Sequence, residues 1–114
     1  MQLLFIISSD PRTSPRPAEA IRIAAGVGIW KRAGVSIYLR EAAVLALRAE
    51  PEGLVDEENY TRYFPSMRDF GRPIYVQRDS AFLGQLGETS FQIEQIDDAQ
   101  LAQLASSSTS VLRF

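Results

Sequence analysis

Short apolar runs alternate with helical segments along this chain, and this order constrains the fold more than any other feature. The first run, at residues 3–8 (LLFIIS), is continuously apolar up to its last residue, as in a strand buried on both faces. Further predicted strands lie at residues 35–39, 73–76, 91–96 and 110–114. Strands that alternate with helices indicate right-handed crossovers and a mainly parallel sheet. We therefore expect one α/β domain over residues 1–114, in three layers, with about five mainly parallel strands and helices on both faces.

The segments between these runs have helical features. Pro17 suits the first turn of a helix, and Glu19 lies where it complements exposed amides, so a helix is predicted from there to about Ala33, with Gly34 ending it. Further helices are predicted at residues 42–49, 60–71, 80–86 and 98–106. Pro65 is expected to break or kink the third of these five helices. Asp97 or Asp98 is expected to cap the last one.

The chain contains no cysteine and no histidine. Their absence excludes thiolate nucleophiles, persulfide carriers, Ser-His-Asp triads, disulfides and Cys/His zinc sites. Lys31 is the only residue that could form a Schiff base. We expect no cofactor and no bound metal.

Charge and hydropathy bear on location and partners. The formal net charge is −2 and no long basic run is present, so neither a nucleic acid nor an anionic membrane is an expected partner. No apolar run reaches the roughly 18 residues of a membrane span. The first residues lack a basic leader and a cleavage site, so a cytoplasmic location is expected.

Polar residues follow three of the predicted strands, at the edge where open parallel sheets bind ligands. They are Ser8, Ser9, Asp10 and Arg12 after the first strand, Arg40 and Glu41 after the second, and Gln77, Arg78, Asp79 and Ser80 after the third. Together they could line one pocket for a small anion, since guanidinium groups bind oxyanions through paired hydrogen bonds. Alternatively, Arg40 pairs with Glu41 or Asp79 on the rim, and Ser80 or Asp79 only caps a helix.

An aromatic group lies in the third predicted helix, with Tyr60, Tyr63, Phe64 and Phe70 around Pro65. These residues are either core or subunit contacts. As surface they would be more apolar than a solvated helix usually is, so they predict self-association.

The sequence also resembles the DsrE/DsrF-like sulfur-relay proteins, which include the TusBCD subunits. The resemblance covers nearly the whole chain. It rests on the small polar loop after the first strand, on YLREAAV and IYVQRDSAFLGQLG at the ends of the second and third strands, and on the tail FQIEQIDDAQLAQLASSSTSVLRF. The terminal VLRF is especially similar to the TusC/DsrF branch.

This resemblance implies a small α/β domain that assembles into trimers or hexamers. In active members a cysteine at the end of the third strand carries sulfur as a persulfide, and that position falls at Gln77, to within one residue. Val76 and Arg78 are not cysteines either. The resemblance therefore implies a non-catalytic scaffold or binding subunit, paired with itself or with related DsrE/F-like subunits. The alternative is a small-molecule or anion-binding protein, or a cysteine-independent enzyme, that uses Ser8, Asp10, Arg40 and Gln77.

Overall fold

A computed structural model of the chain describes residues 1–30, 34–68 and 72–114. Its strands are β1 (Gln2–Ile7), β2 (Gly34–Leu39), β3 (Ile74–Gln77), β4 (Ile93–Ile96) and β5 (Ser110–Arg113). They form one sheet in the order β4-β3-β2-β1-β5, and every pairing is parallel. The predicted mainly parallel α/β sheet is thus confirmed. All strands end at the same edge, which we call the carboxyl edge.

Helices cover both faces of the sheet. The helices of the described residues are α1 (Arg16–Trp30), a 3₁₀ helix (Glu41–Leu47), α2 (Glu57–Arg68), α3 (Leu83–Leu86) and α4 (Asp98–Ser106). The larger core lies on the face covered by α1, the 3₁₀ helix and α2, with Phe5, Ile37 and Val76 facing them from the sheet. On the opposite face α4 packs through Leu101 and Leu104 over Leu4, Ile6 and Tyr38.

Pro65 lies inside α2, so of the break or kink expected there the break does not occur. The helix begins at Glu57 and continues to Arg68, three residues beyond the proline. The proline ring leaves the carbonyl of Thr61 without its helical donor. Thr61 and Pro65 are both exposed, so water can satisfy that carbonyl, while Tyr60 and Phe64 are buried and hold the helix against the core.

Two other predicted helices differ from the structure. The helix expected at residues 80–86 contains only Leu83–Leu86, because residues 77–80 form a turn in which the amide of Ser80 donates to the carbonyl of Gln77 at 3.2 Å. The segment after β2 is a 3₁₀ helix in which Ala42 to Leu47 are all buried.

α4 begins at the predicted place, and Asp97 rather than Asp98 is its cap. The Asp97 carboxylate accepts from the amide of Gln100 at 2.8 Å, and the Gln100 side chain accepts from the amide of Asp97 at 2.9 Å. This reciprocal pair satisfies two donors that helix geometry leaves open. Across residues 1–30, 34–68 and 72–114, no helix combines the length and the apolar character that crossing a membrane requires.

Candidate functional site

Gln77 is the last residue of β3 and is half-buried at the carboxyl edge. Its side-chain oxygen accepts a hydrogen bond from the backbone amide of Glu41 at 2.9 Å. The hydroxyl of Ser80 donates to the backbone carbonyl of Glu41 at 3.1 Å. Both backbone polar groups of Glu41 are therefore held by the end of β3 and the turn that follows it. We call these three residues the Gln77 clamp.

Glu41 needs such support because its backbone is left-handed, with φ of 51°. A non-glycine residue in this region costs about 1–2 kcal/mol, since its Cβ crowds the following carbonyl. The strain lies where β2 turns directly into the 3₁₀ helix. Gln77 therefore acts through its hydrogen bond to the Glu41 amide, and a carboxamide supplies neither a nucleophile nor a base of useful pKa.

The loop after β1 lies at the carboxyl edge, and its residue Arg12 contacts the segment that follows β3. Its guanidinium forms an ion pair with Asp10 at 2.9 Å, and its backbone amide donates to the same carboxylate at 2.9 Å. The hydrogen bond from Arg12 lowers the pKa of Asp10 below its usual value. The guanidinium also lies over the ring of Phe82, 5.5 Å from its centre. The charge of Arg12 is thus already paired.

Two other residues of this loop, Ser8 and Asp10, form backbone hydrogen bonds. The amide of Ser8 donates to the carbonyl of Phe114 at 2.9 Å, which extends the pairing of β1 with β5. The carbonyl of Asp10 accepts from the amides of Thr13 and Ser14, closing a turn. Ser9, which lies between Ser8 and Asp10 in the chain, is partly buried.

Arg78 turns away from the Gln77 clamp and toward α4. Its guanidinium donates to the carbonyl of Gln95 at 3.3 Å and to the side chain of Gln100 at 3.2 Å, and it lies 3.6 Å from the carboxylate of Asp97. Asp79, the next residue, is exposed. Ser80 is buried and accepts from the amide of Phe82 at 3.2 Å, which closes a local turn. The cap position of α3 is Phe82, which makes no side-chain cap bond, so neither Ser80 nor Asp79 has the predicted capping role at this helix.

Of the three arginines predicted at this edge, Arg12, Arg40 and Arg78, only Arg40 makes no ion pair with a described residue. Its backbone amide donates to the carbonyl of Ile7, but within the described parts of the chain no ion pair joins its guanidinium to Glu41 or Asp79. The rim pairing considered for Arg40 is therefore not formed. The side chain is half-buried, so solvent screens its charge only in part.

Sequence analysis missed Tyr38, which lies two residues before Arg40 and so projects from the same face of β2. Tyr38 is fully buried, and its hydroxyl has no hydrogen-bond partner among the described residues. Burial raises the pKa of Tyr38, an effect that the positive charge of Arg40 partly offsets. Residues two apart on a strand lie on the same face, and this alternation was the sequence signal that could have placed Tyr38 near Arg40.

In the described parts of the chain, no three acidic, histidine or cysteine side chains are placed to hold a metal ion. Tyr60 and Phe64 are core residues, 4% and 3% exposed, and Tyr63 packs against the same core. Lys31 and Phe70 lie outside the described residues. Self-association therefore stays a prediction, without the support of an exposed Tyr60 or Phe64.

Neither a protein-family model nor a curated protein matches the sequence. The structure is similar to the crystal structure of the ychN protein from E. coli, with a TM-score of 0.78, over 100% of this chain and 99% of the other. The two sequences are 18% identical, so the likeness concerns the fold. The chain therefore has the five-stranded DsrE/DsrF-like α/β fold of the E. coli protein and contains no cysteine.

Proposed function

We propose that the protein is a non-catalytic, cytoplasmic scaffold or binding subunit that assembles with copies of itself or with related DsrE/F-like subunits. One observation carries this proposal. At the strand end where the family resemblance expects a sulfur-carrying cysteine, Gln77 directs its side-chain oxygen to the Glu41 amide at 2.9 Å. A persulfide needs a sulfur atom on the protein, and this position holds a structural hydrogen bond in its place.

The Gln77 clamp gives the end of β3 a structural role that requires no reactive side chain. It fixes the turn from β2 into the 3₁₀ helix, and that helix buries six consecutive residues, Ala42 to Leu47, in the core. A scaffold or binding subunit uses such fixed backbone geometry to present a preformed surface to its partner. The proposal follows from the fold and from the chemistry of position 77 together.

Sulfur loading tests this proposal. After incubation with a polysulfide donor, the wild-type chain should gain no stable adduct of about 32 Da in accurate-mass spectra under non-reducing conditions. A Gln77→Cys variant should be persulfidated and alkylated faster than a Ser107→Cys control, because the Glu41 amide, left without its acceptor, adds positive potential near a thiolate at position 77. Equal or slower reaction at position 77 would contradict its assignment as the sulfur-carrying position.

The Gln77→Cys variant also removes the acceptor for the Glu41 amide, so its folding needs a control. Gln77→Cys combined with Glu41→Gly relieves the left-handed strain, since glycine adopts positive φ without a Cβ clash. The circular dichroism spectrum and melting temperature of both variants should match those of a folded domain before reactivity is compared.

A second candidate function is the binding of a small oxyanion at Arg40. The half-buried guanidinium of Arg40, which has no partner among the described residues, favours it. A guanidinium donates paired hydrogen bonds to an oxyanion and supplies positive charge. Arg12 and Arg78 are weaker candidates than sequence analysis suggested, because both are already paired with carboxylates.

Thermal-shift titration with sulfate, phosphate and thiosulfate tests this second function. At least one anion should raise the melting temperature of the wild type, and Arg40→Met should abolish the increase. Arg78→Met is the matched control and should keep it, since Arg78 is directed at α4. An increase that survives in Arg40→Met would place the anion elsewhere.

A further inference from the structure

The sheet has two outermost strands, β4 and β5, whose outer sides face no other described strand. On β4 the carbonyl of Ile96 accepts from the amide of Arg78, which directly follows β3, at 3.0 Å. Backbone groups alternate in direction along a strand, so Ile93 and Gln95 direct theirs away from β3. Outward groups of this kind can pair with a strand of another chain.

The outer strand on the other side, β5, is arranged in the same way. The Phe114 amide donates to the carbonyl of Ile6, and the Phe114 carbonyl accepts from the amide of Ser8, each at 2.9 Å. Val111 and Arg113 therefore direct their backbone groups to the outer side of β5. The side chain of Val111 is 36% exposed, which adds apolar surface to this side.

An arginine side chain occupies the last outward carbonyl of each outer strand. The guanidinium of Arg78 donates to the carbonyl of Gln95 at 3.3 Å. The guanidinium of Arg16 donates to the carbonyl of Arg113 at 3.2 Å. The two arginines come from separate segments, one after β3 and the other at the start of α1. Opposite sides of the sheet therefore carry the same contact, built from different parts of the chain.

Each guanidinium is held in place by further contacts. Arg78 also donates to the side chain of Gln100 at 3.2 Å and lies 3.6 Å from the carboxylate of Asp97. Arg16 lies over the ring of Phe114, 5.8 Å from its centre. An incoming strand has to displace a charge-assisted hydrogen bond and these contacts before its own amide reaches the carbonyl.

We propose that Arg16 and Arg78 close the two outer strands of the sheet against strand addition. Natural sheets protect such strands by keeping them short and by placing charged side chains on them, and β4 and β5 each have four residues. Partner subunits then bind on the faces or the ends of the sheet, and copies of the chain do not join into a continuous sheet. The outer strands are closed whether or not the protein assembles, so the proposal is independent of the function proposed for the carboxyl edge.

Amide hydrogen exchange of the wild-type chain tests whether the outer strands stay closed. The outward amides belong to Ile93, Gln95, Val111 and Arg113, and their exchange rates should stay constant between about 5 and about 200 μM protein. Constant rates are expected even where the protein assembles, because assembly then uses other surfaces. Protection of these amides that grows with protein concentration would show strand addition in the native protein and overturn the proposal.

A double variant, Arg16→Met with Arg78→Met, should open both outer strands. The half-time of thioflavin T fluorescence under agitation at pH 7 should fall at least about fivefold, the factor that one net hydrogen bond corresponds to. Arg22→Met with Arg62→Met is the matched control, since it changes the net charge equally and removes exposed arginines that contact no strand carbonyl in the described residues. An unchanged half-time in the first variant, or an equal fall in the control, would overturn the proposal.

Loss of stability also speeds aggregation, and Gln77→Met separates this cause from an opened strand. That variant loses the hydrogen bond to the Glu41 amide and keeps both arginines. Urea sets the same unfolded fraction in each variant before agitation. The double arginine variant should then aggregate at least about fivefold faster than Gln77→Met. Equal half-times at a matched unfolded fraction would overturn the proposal, because global unfolding alone would account for the aggregation.

Discussion

Replacing Gln77 by methionine is the sharpest perturbation of the Gln77 clamp. The side chain keeps nearly the same length and volume, and only the acceptor for the Glu41 amide is lost. Glu41 then has to hold its φ of 51° with the hydroxyl of Ser80 as its remaining side-chain partner. We expect a less stable protein with an unchanged fold.

The magnitude follows from the position of this hydrogen bond. An intramolecular hydrogen bond contributes about 0.5–1.5 kcal/mol net, and Glu41 is exposed, so water can replace part of the lost contact. A loss of about 1 kcal/mol is therefore expected. With an unfolding entropy of about 2.1 cal/mol/K per residue, a domain of this length should melt about 4 °C lower.

Two measurements check the Gln77→Met prediction. Thermal unfolding gives the stability, and amide hydrogen exchange should show the Glu41 amide losing protection in the variant. Gln95→Met is the matched control, since Gln95 is exposed on β4 and makes no side-chain hydrogen bond in the described residues. If Gln77→Met melts with the control and the Glu41 amide exchanges as in the wild type, Gln77 does not hold the turn.

Three further substitutions test the packing and electrostatics around the site. Asp10→Asn should melt slightly lower than the wild type at pH 7, because the ion pair with Arg12 is lost. Since Arg12 lowers the Asp10 pKa, the stabilisation from this ion pair is present above about pH 4 and is lost as the pH falls through the folded-state pKa. The melting temperatures of the variant and the wild type should therefore converge in acid. A constant difference down to about pH 2 would contradict the ion pair as its cause. Asp97→Ala should cost about 1 kcal/mol in denaturant unfolding through loss of the α4 cap, and an unchanged midpoint would contradict the capping role. Tyr38→Phe should be equally stable or more stable in the same assay, because the buried hydroxyl has no partner in the described parts of the chain. A loss above about 1 kcal/mol would contradict this reading of the hydroxyl.

The strands could be predicted because burial on both faces leaves a continuous apolar run. Residues 3–8 and 35–39 were placed within one residue of β1 and β2. The strand ends follow from this, so Gln77 was expected at the carboxyl edge and lies there. Local rules also placed the cap of α4 at Asp97 or Asp98, and the structure shows that Asp97 forms it together with Gln100.

The partners of the polar residues could not be predicted, because they come from distant parts of the chain. Arg78 is held by α4 and Arg12 lies over Phe82, and neither contact leaves a local sequence signal. The left-handed backbone of Glu41 could not be predicted from the sequence either, since such positions usually carry glycine or asparagine. At Pro65 the burial of Tyr60 and Phe64 outweighs the local tendency of proline to end a helix.

The proposal of a scaffold or binding subunit depends most directly on assembly. Size-exclusion chromatography with multi-angle light scattering, at tens of micromolar protein in buffer of about 0.15 M salt, gives the mass in solution independently of shape. We predict three or six times the 12.7 kDa of one chain, in keeping with the trimers or hexamers that the family resemblance implies. A single species of 12.7 kDa across that concentration range would contradict self-assembly.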